Sequence, residues 1–252
     1  MKIRKKFLIL VLIILPNFTF AAQLNYDFKW LSLPVAELVI DFQQIEDNEI
    51  KKTVEYTLKT AGPLKLYRNY KSSGYIKPID NKSWVYHITG KDRGQPEEKL
   101  IIFADKSAPY IEKFIDDRGA DPVKIEQPSD IGAVDPVTTL ISTINKLREI
   151  GECDASYFVV DGKRKYRAIY SEIIKQNNAR GEIFSSIKDY NIKRCRVNIT
   201  GAMIELNYGD KKKWPFNSKD NFLTIWFDEN MNYLPIKFRF NTPIGTITGD
   251  LN

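Results

Sequence analysis

Cysteine and histidine are scarce in this chain, which has two cysteines and one histidine among 252 residues. A single histidine, His87, excludes a metal site built from several imidazoles, and two cysteines make a poor zinc site. A redox-active pair is not expected either, because such pairs have Cys-x-x-Cys spacing, whereas Cys153 and Cys195 lie far apart. We therefore predict no metal and no cofactor.

Common enzyme motifs are missing as well. The sequence has no phosphate-binding glycine loop and no Gly-x-Ser-x-Gly elbow, and one Ser-x-x-Lys match at 185–188 lacks its companion motifs. The acidic neighbours Glu97-Glu98 and Asp116-Asp117 are expected in strands, where adjacent side chains point to opposite faces and cannot work as an acid and base pair. We predict that the protein is not an enzyme. A glycosidase built from acids distant in sequence stays open.

Only one long apolar run occurs, and it lies at the N-terminus. Four basic residues among the first six precede the apolar residues 7–15, and residues 19–21 provide a cleavage site. This pattern is typical of a secretory signal peptide, and the run is shorter than the roughly 20 residues that a membrane span needs. We predict a signal peptide over residues 1–21 and a single domain over residues 22–252.

The expected compartment is the periplasm. No cysteine precedes Cys153 to carry a lipid, so we do not expect a lipoprotein. No long apolar segment follows the leader, so we expect a soluble protein without a transmembrane segment. In an oxidising compartment the two lone cysteines predict a structural disulfide between Cys153 and Cys195.

Charge also narrows the choice of partners. The formal net charge is +6, but four basic residues belong to the leader, which leaves about +2. Such a balance indicates no nucleic-acid binding. The basic runs at 163–167 and 211–214 are predicted to be solvated hairpin tips or loops.

Most of the chain alternates apolar and polar residues with the period of antiparallel strands. In one such run Trp84, Tyr86 and Ile88 share a face, while His87 belongs to the other. An Asp161-Gly162 pair predicts a tight type I′ hairpin over residues 156–170. Further strands are predicted near 24–32, 36–43, 97–103, 192–200, 203–209, 222–228, 233–240 and 244–251, with Pro235 and Pro243 at strand beginnings. Residues 63–71 fit a short helix or a strand.

One amphipathic helix interrupts the strands. Asp135 suits the N-cap, Pro136 the first helical position and Gly151 the position after the C-terminus. An apolar stripe recurs at helical spacing: Val137, Leu140, Ile141, Ile144 and Leu147. We expect this stripe to pack on the concave face of a large curved, mainly antiparallel sheet, in an all-β fold.

Several short pieces carry a family resemblance. In order they are Tyr26-Asp27-Phe28, residues 33–37, 73–78 and 135–140, Cys153, residues 161–166, Cys195, residues 234–236 and 242–245. Together they resemble the domain-of-unknown-function family 3108 of exported bacterial proteins, along essentially the whole chain after the leader. The resemblance implies a β-rich envelope protein akin to the lipoprotein-carrier half-barrels. It implies no known activity and no catalytic residues.

Three functions remain open at this stage. One helix is too little to cover a sheet of ten or more strands, so a lipid or another apolar ligand could fill a groove bordered by the helix stripe. Alternatively, the sheet closes on itself, with Trp30, Trp84, Trp214 and Trp226 in its core. We expect a monomeric periplasmic binding or carrier protein. The alternatives are an envelope-integrity or assembly factor that binds another envelope protein at an edge strand, and a cell-wall enzyme with paired carboxylates.

Overall fold

The computed structural model describes residues 20–46, 49–126, 128–173, 191–201, 203–205, 211–213, 222–242 and 245–252. Its helices are α1 (Leu64–Tyr67) and α2 (Pro136–Ile150). Its strands are β1 (Phe20–Trp30), β2 (Leu33–Glu46), β3 (Glu49–Thr60), β4 (Tyr70–Pro78), β5 (Ser83–Asp92), β6 (Gln95–Ala104), β7 (Tyr110–Ile115), β8 (Ala155–Val160), β9 (Lys165–Glu172), β10 (Ile192–Thr200), β11 (Met203–Glu205), β12 (Lys211–Lys213), β13 (Leu223–Asp228), β14 (Leu234–Thr242) and β15 (Gly245–Leu251).

Thirteen strands form one antiparallel sheet in the order β7-β6-β5-β4-β3-β2-β1-β15-β14-β13-β10-β9-β8, and β11 pairs with β12 separately. Strands β7 and β8 are the two edges, and among the residues that the structure describes no backbone hydrogen bonds between these strands close the curved sheet. The predicted all-β, mainly antiparallel fold is confirmed. Among the described residues, no helix combines the length and apolar character that crossing a bilayer requires.

Alternation along the strands decides which side chains face the concave side. In β1, the buried residues Leu24, Tyr26 and Phe28 alternate with exposed or half-buried ones. In β5, Tyr86 and Ile88 point inward as predicted, while Nε2 of His87 on the other face lies 3.2 Å from Oε1 of Glu98 in β6. The period of two therefore gives the sheet one apolar face and one polar face.

Helix α2 covers one end of the concave face. The Asp135 carboxylate accepts the backbone N–H groups of Val137 and Thr138 and the indole N–H of Trp84 at 2.8 Å. At the other end of the helix, Gly151 has a φ of 72°. The predicted start and end of the helix are confirmed, because a side-chain cap and a left-handed glycine fix both. The undecided stretch at 63–71 contains α1 and the first residues of β4.

The β7 and β8 edges of the sheet approach each other through both backbone and side-chain contacts. At the tip of the β8–β9 hairpin, the carbonyl of Gly162 accepts the N–H of Val123 at 2.8 Å. A Cβ at Gly162 would lie 3.1 Å from Cδ1 of Ile101 in β6, so the tip rests on the β6–β7 end. We call this region, where the β8–β9 tip meets β6 and β7, the seam.

The hairpin turn itself differs from the prediction. Asp161 N–H donates to the Arg164 carbonyl at 3.1 Å, so the central residues are Gly162 and Lys163 rather than Asp161 and Gly162. Of these two, Gly162 alone has a positive φ, and a type I′ turn needs positive φ at both. Asp161 precedes the centre because its carboxylate accepts the N–H groups of Lys163 and Arg164.

The structure joins Cys153 and Cys195, whose Cα atoms are 6.1 Å apart. Cys153 follows α2 and Cys195 lies in β10, so the bond ties the helix end to the sheet. Pro235 is the second residue of β14, as predicted. The leader residues 1–19, the Ser-x-x-Lys match, Pro243 and Trp214 lie outside the described residues.

Candidate ligand-binding site

A cavity of about 450 Å³ lies on the concave face, away from helix α2. This volume falls in the range of roughly 300–1,000 Å³ that is usual for small-molecule sites. Strands β1 to β4, β14, β15 and helix α1 contribute its walls. The lining residues are Phe28, Trp30, Val35, Ala36, Leu38, Leu58, Lys59, Thr60, Leu64, Tyr70, Phe240 and Ile247.

The strand register explains why these side chains meet. Leu38 lies opposite Leu58 across β2 and β3, and Ala36 lies opposite Phe28 across β2 and β1. The small side chain of Ala36 leaves space that a larger residue would fill. The rings of Phe28 and Phe240 pack with their centroids 6.0 Å apart, so aromatic rings form one wall. The cavity is therefore built mainly from inward-facing apolar positions of six neighbouring strands, in the order β4-β3-β2-β1-β15-β14.

Tyr70 connects this apolar cavity to a buried charged cluster. Its hydroxyl donates to Oε2 of Glu97 at 3.3 Å, and Oε1 of Glu97 lies 2.9 Å from Nζ of Lys99. Burial raises the pKa of the Tyr70 hydroxyl to about 12, so this group stays neutral at ordinary pH. Lys99 and Glu97 are almost fully buried, at 6 % and 9 % exposure. Burial of both charges requires that they pair with each other.

Two further carboxylates complete the charged cluster. The carboxylate oxygens of Glu97, Asp116 and Asp117 lie within 4.8 Å of one another. Burial opposes ionisation of Asp116, but its ion pair with Lys163 and the hydrogen bonds from the backbone N–H groups of Ala120 and Arg118 together hold the pKa of Asp116 below its usual value. Burial, together with the neighbouring Asp92, raises the pKa of Asp117. One carboxyl of the cluster therefore holds a proton more tightly than a free aspartate.

This clustering corrects the expectation for Asp116 and Asp117. The prediction places both residues in a strand, but β7 ends at Ile115, so the alternation rule does not apply to them. The turn that follows brings both carboxylates to the side of Glu97. Glu97 and Glu98 do lie in a strand, and Glu98 pairs with His87 on the outer face. Sequence reasoning missed the cluster because it depends on where β7 ends.

The cluster suits a structural role at the seam better than a cation site. Lys99 pairs with Glu97 and Lys163 pairs with Asp116. The two ammonium groups already supply the positive charge that a bound cation would bring. Asp92 is likewise held by Arg68, with Oδ2 and Nη2 separated by 2.7 Å. We therefore assign these charges to holding the sheet ends together.

The basic run at 163–167 is not a solvated tip, which corrects that expectation. Lys163 pairs with Asp116, Arg164 with Asp161 and Lys165 with Asp130. The side chain of Lys163 is only 13 % exposed. Asp116 and Asp130 come from distant parts of the chain, which the sequence pattern does not reveal, whereas Asp161 lies in the same turn as Arg164.

The predicted helix stripe lies elsewhere. Ile144 and Leu147 are fully buried in the core, and Val137, Leu140 and Ile141 are partly buried against it. None of the α2 residues, all of which are described, lines the 450 Å³ cavity. Ile141 borders a smaller cavity of about 190 Å³ beside Trp84. A ligand groove bordered by the helix stripe stays a prediction, and the larger cavity lies at the opposite end of the sheet.

The three tryptophans in the described part of the chain have different surroundings. Trp84 stacks on Phe103 with a centroid distance of 5.6 Å, whereas Trp30 lines the cavity. Trp226 lies under the ammonium of Lys237, 5.9 Å from the ring centre. Trp30 therefore does not fit the alternative in which the sheet closes on itself and all four tryptophans form its core.

These features define an all-β protein in which one curved, open sheet carries an apolar cavity. The cavity lies at the end of the concave face that helix α2 does not cover. The sequence matches the family described as "Protein of unknown function (DUF3108)" over residues 25–252. The chain therefore belongs to this family, as its motifs indicated. No curated protein matches the sequence at a significant level.

A solved structure shares the fold. It is the crystal structure of a beta-barrel-like protein of the domain of unknown function DUF1849 from Brucella abortus. The TM-score is 0.54 at 11 % identity, covering 92 % of this chain and 95 % of that chain. At this identity the similarity supports the architecture alone.

Proposed function

We propose that the protein is a non-catalytic periplasmic carrier that binds an elongated apolar molecule, such as a lipid, in the 450 Å³ cavity. The observation that carries this proposal is the lining: apolar side chains from six strands converge on a space that no side chain of the described residues fills. Burying the apolar chain of a ligand there would contribute about 25 cal/mol for each Å² removed from water.

The position of the cavity supports a carrier role. Leu64 at its rim is 38 % exposed, so a ligand can enter from solvent without unfolding the core. Helix α2 and the disulfide lie at the other end of the concave face. A ligand can therefore enter and leave the cavity while this stabilised part of the fold stays fixed. The predicted leader and the cysteine pair fit an exported, oxidised protein.

Trp30 provides a direct test, because its ring lines the cavity. Titration with dibrominated stearic acid should quench part of the tryptophan fluorescence to saturation, since bromine quenches at close contact. Trp30→Phe should remove most of the quenching, whereas Trp226→Phe on the outer face should retain it. Equal quenching in the two variants would place the fatty acid outside the cavity.

An exposed edge strand keeps the protein-partner alternative open. Strand β7 is an edge, its Tyr110 is 63 % exposed, and a hollow of about 580 Å³ lies beside it, lined in part by Pro109, Phe114 and Val123. An extended segment of another envelope protein could pair there. A photo-crosslinking amino acid at position 110 should then give one discrete adduct in cells, and the same probe at Ile79 should not. Diffuse or identical adducts at both positions would count against this alternative.

A further inference from the structure

The β1–β2 turn with the start of β2, and helix α1, expose large apolar side chains at the cavity end. Leu31 in the turn is 75 % exposed, Leu33 at the start of β2 is 50 % exposed, and Leu66 and Tyr67 of α1 are 88 % and 80 % exposed. The chain before α1 runs beside β2, because Ala61 N–H donates to the Val35 carbonyl at 3.0 Å. We call these four residues, Leu31, Leu33, Leu66 and Tyr67, the apolar tips. Such a group on a soluble domain marks an interaction surface.

Backbone geometry holds Leu31 outward at a cost. Trp30 pairs with Leu33, so Leu31 and Ser32 form a two-residue turn with φ of 47° and 70°. Glycine and asparagine adopt this positive-φ conformation most readily, whereas a residue with a bulky apolar side chain, such as leucine, is disfavoured in it. Neither burial nor backbone preference explains a leucine at position 31. An exposed leucine held in a disfavoured conformation is consistent with a contact to another molecule.

Unpaired lysines flank the apolar tips. Lys71 follows α1 in β4 and lies opposite Lys91 of β5 in the sheet register. Both are exposed, both border a hollow of about 420 Å³, and neither they nor Lys65 of α1 has an acidic partner among the described residues. Like charges directly opposite each other in a sheet destabilise it. An anion held between Lys71 and Lys91 would remove that repulsion.

We propose that the cavity end of the protein docks on the surface of an anionic phospholipid bilayer. The apolar tips enter the headgroup region, and Lys65, Lys71 and Lys91 contact the anionic headgroups. Apolar residues on separate loops beside basic residues match the chemistry of an interfacial membrane contact, in which both contributions add. The proposal goes beyond the proposed function, because docking does not require an occupied cavity.

Flotation with lipid vesicles tests the docking. The full chain without residues 1–21 should float with vesicles of equal parts phosphatidylcholine and phosphatidylglycerol, and much less with phosphatidylcholine alone. Leu66→Ser should weaken binding about tenfold, because one buried leucine is lost from the contact. The double variant Lys71→Gln with Lys91→Gln should weaken it by a similar factor or more, and high salt should abolish the difference between the two vesicles.

A matched control distinguishes docking through this surface from nonspecific hydrophobic binding to vesicles. Ile79 is 57 % exposed in the turn after β4, at the end covered by α2, so Ile79→Ser should bind like the unchanged protein. Equal binding of all variants, or no binding of the unchanged protein to either vesicle, would overturn the proposal. If Leu66→Ser binds vesicles normally but loses self-association or binding to a protein partner, the apolar tips contact a protein and not a bilayer, and the proposal is wrong. Because Trp30 quenching is measured without vesicles, its outcome is independent of this one.

Discussion

At the scale of single residues, buried ion pairs define the seam. The side chain of Asp116 is 1 % exposed and that of Lys163 13 % exposed, so neither charge is stable there without the other. Asp130 and Lys165 form a second pair of this kind, with 3.3 Å between Oδ2 and Nζ. The Lys163–Asp116 pair joins the β8–β9 tip to the residues that follow β7, and the Lys165–Asp130 pair joins the start of β9 to the loop before α2.

Removing one partner of the Lys163–Asp116 pair should be costly. Lys163→Met leaves Asp116 as an unpaired buried charge and should lower the free energy of unfolding by about 3 kcal/mol. The double variant Lys163→Met with Asp116→Asn should recover most of this loss, because no charge remains unpaired. Urea unfolding of the four proteins in this cycle measures the coupling. Additive single effects would show that the pair does not connect the sheet ends.

The same pair gives a pH dependence with a definite sign. The pKa of Asp116 is lowered in the folded protein, so its contribution to stability is present above the ordinary aspartate pKa of about 4 and is lost as pH falls through the lowered pKa. Asp117, whose pKa is raised, contributes in the opposite direction. The stability difference between the unchanged protein and the double variant should therefore narrow below about pH 4. A difference independent of pH would contradict the assignment to Asp116.

At the scale of elements, local signals predicted what local interactions determine. The α2 boundaries follow from Asp135 and Gly151, and the strand faces from the period of two. The seam was missed because it depends on contacts of β6 and β7 with the tip of the β8–β9 hairpin, which is far from them in sequence. The prediction that the apolar stripe of α2 packs against the sheet is confirmed. The spacing of that stripe does not indicate which end of the concave face the helix leaves uncovered.

Helix packing can be tested with two isoleucines of α2. Ile144 is fully buried and Ile150 is 58 % exposed. Ile144→Ala should lower the free energy of unfolding by about 2–4 kcal/mol through a cavity in the core, whereas Ile150→Ala should change it by less than about 0.5 kcal/mol. Thermal or urea unfolding compares the two. Similar effects would mean that the stripe does not face the sheet.

The disulfide connects α2 to the sheet across a sequence separation of 42 residues. By the loop-entropy model, Cys153→Ser with Cys195→Ser should lower the free energy of unfolding by about 4 kcal/mol. Non-reducing peptide mapping of exported protein should find the crosslinked peptide. Two free thiols there would show that the pair is not oxidised in its own compartment.

At the scale of the whole molecule, the curved sheet has two different ends. Helix α2 and the disulfide occupy one end, where Ile144, Leu147 and Cys153 are buried. The other end holds the apolar cavity, the apolar tips and the unpaired lysines. This division follows from topology: a sheet of 13 strands has a larger concave face than one helix of 15 residues can cover.

The central claim is that an apolar ligand occupies the cavity, and native mass spectrometry of protein exported to the periplasm tests it most directly. Ala36→Phe fills the cavity from inside, and Val39→Phe adds the same ring to the outer face of β2 as its control. We predict a bound lipid-sized mass on the unchanged protein and on Val39→Phe, and its loss from a folded Ala36→Phe. An identical ligand mass on all three, or no ligand on any of them, would contradict a lipid-binding cavity.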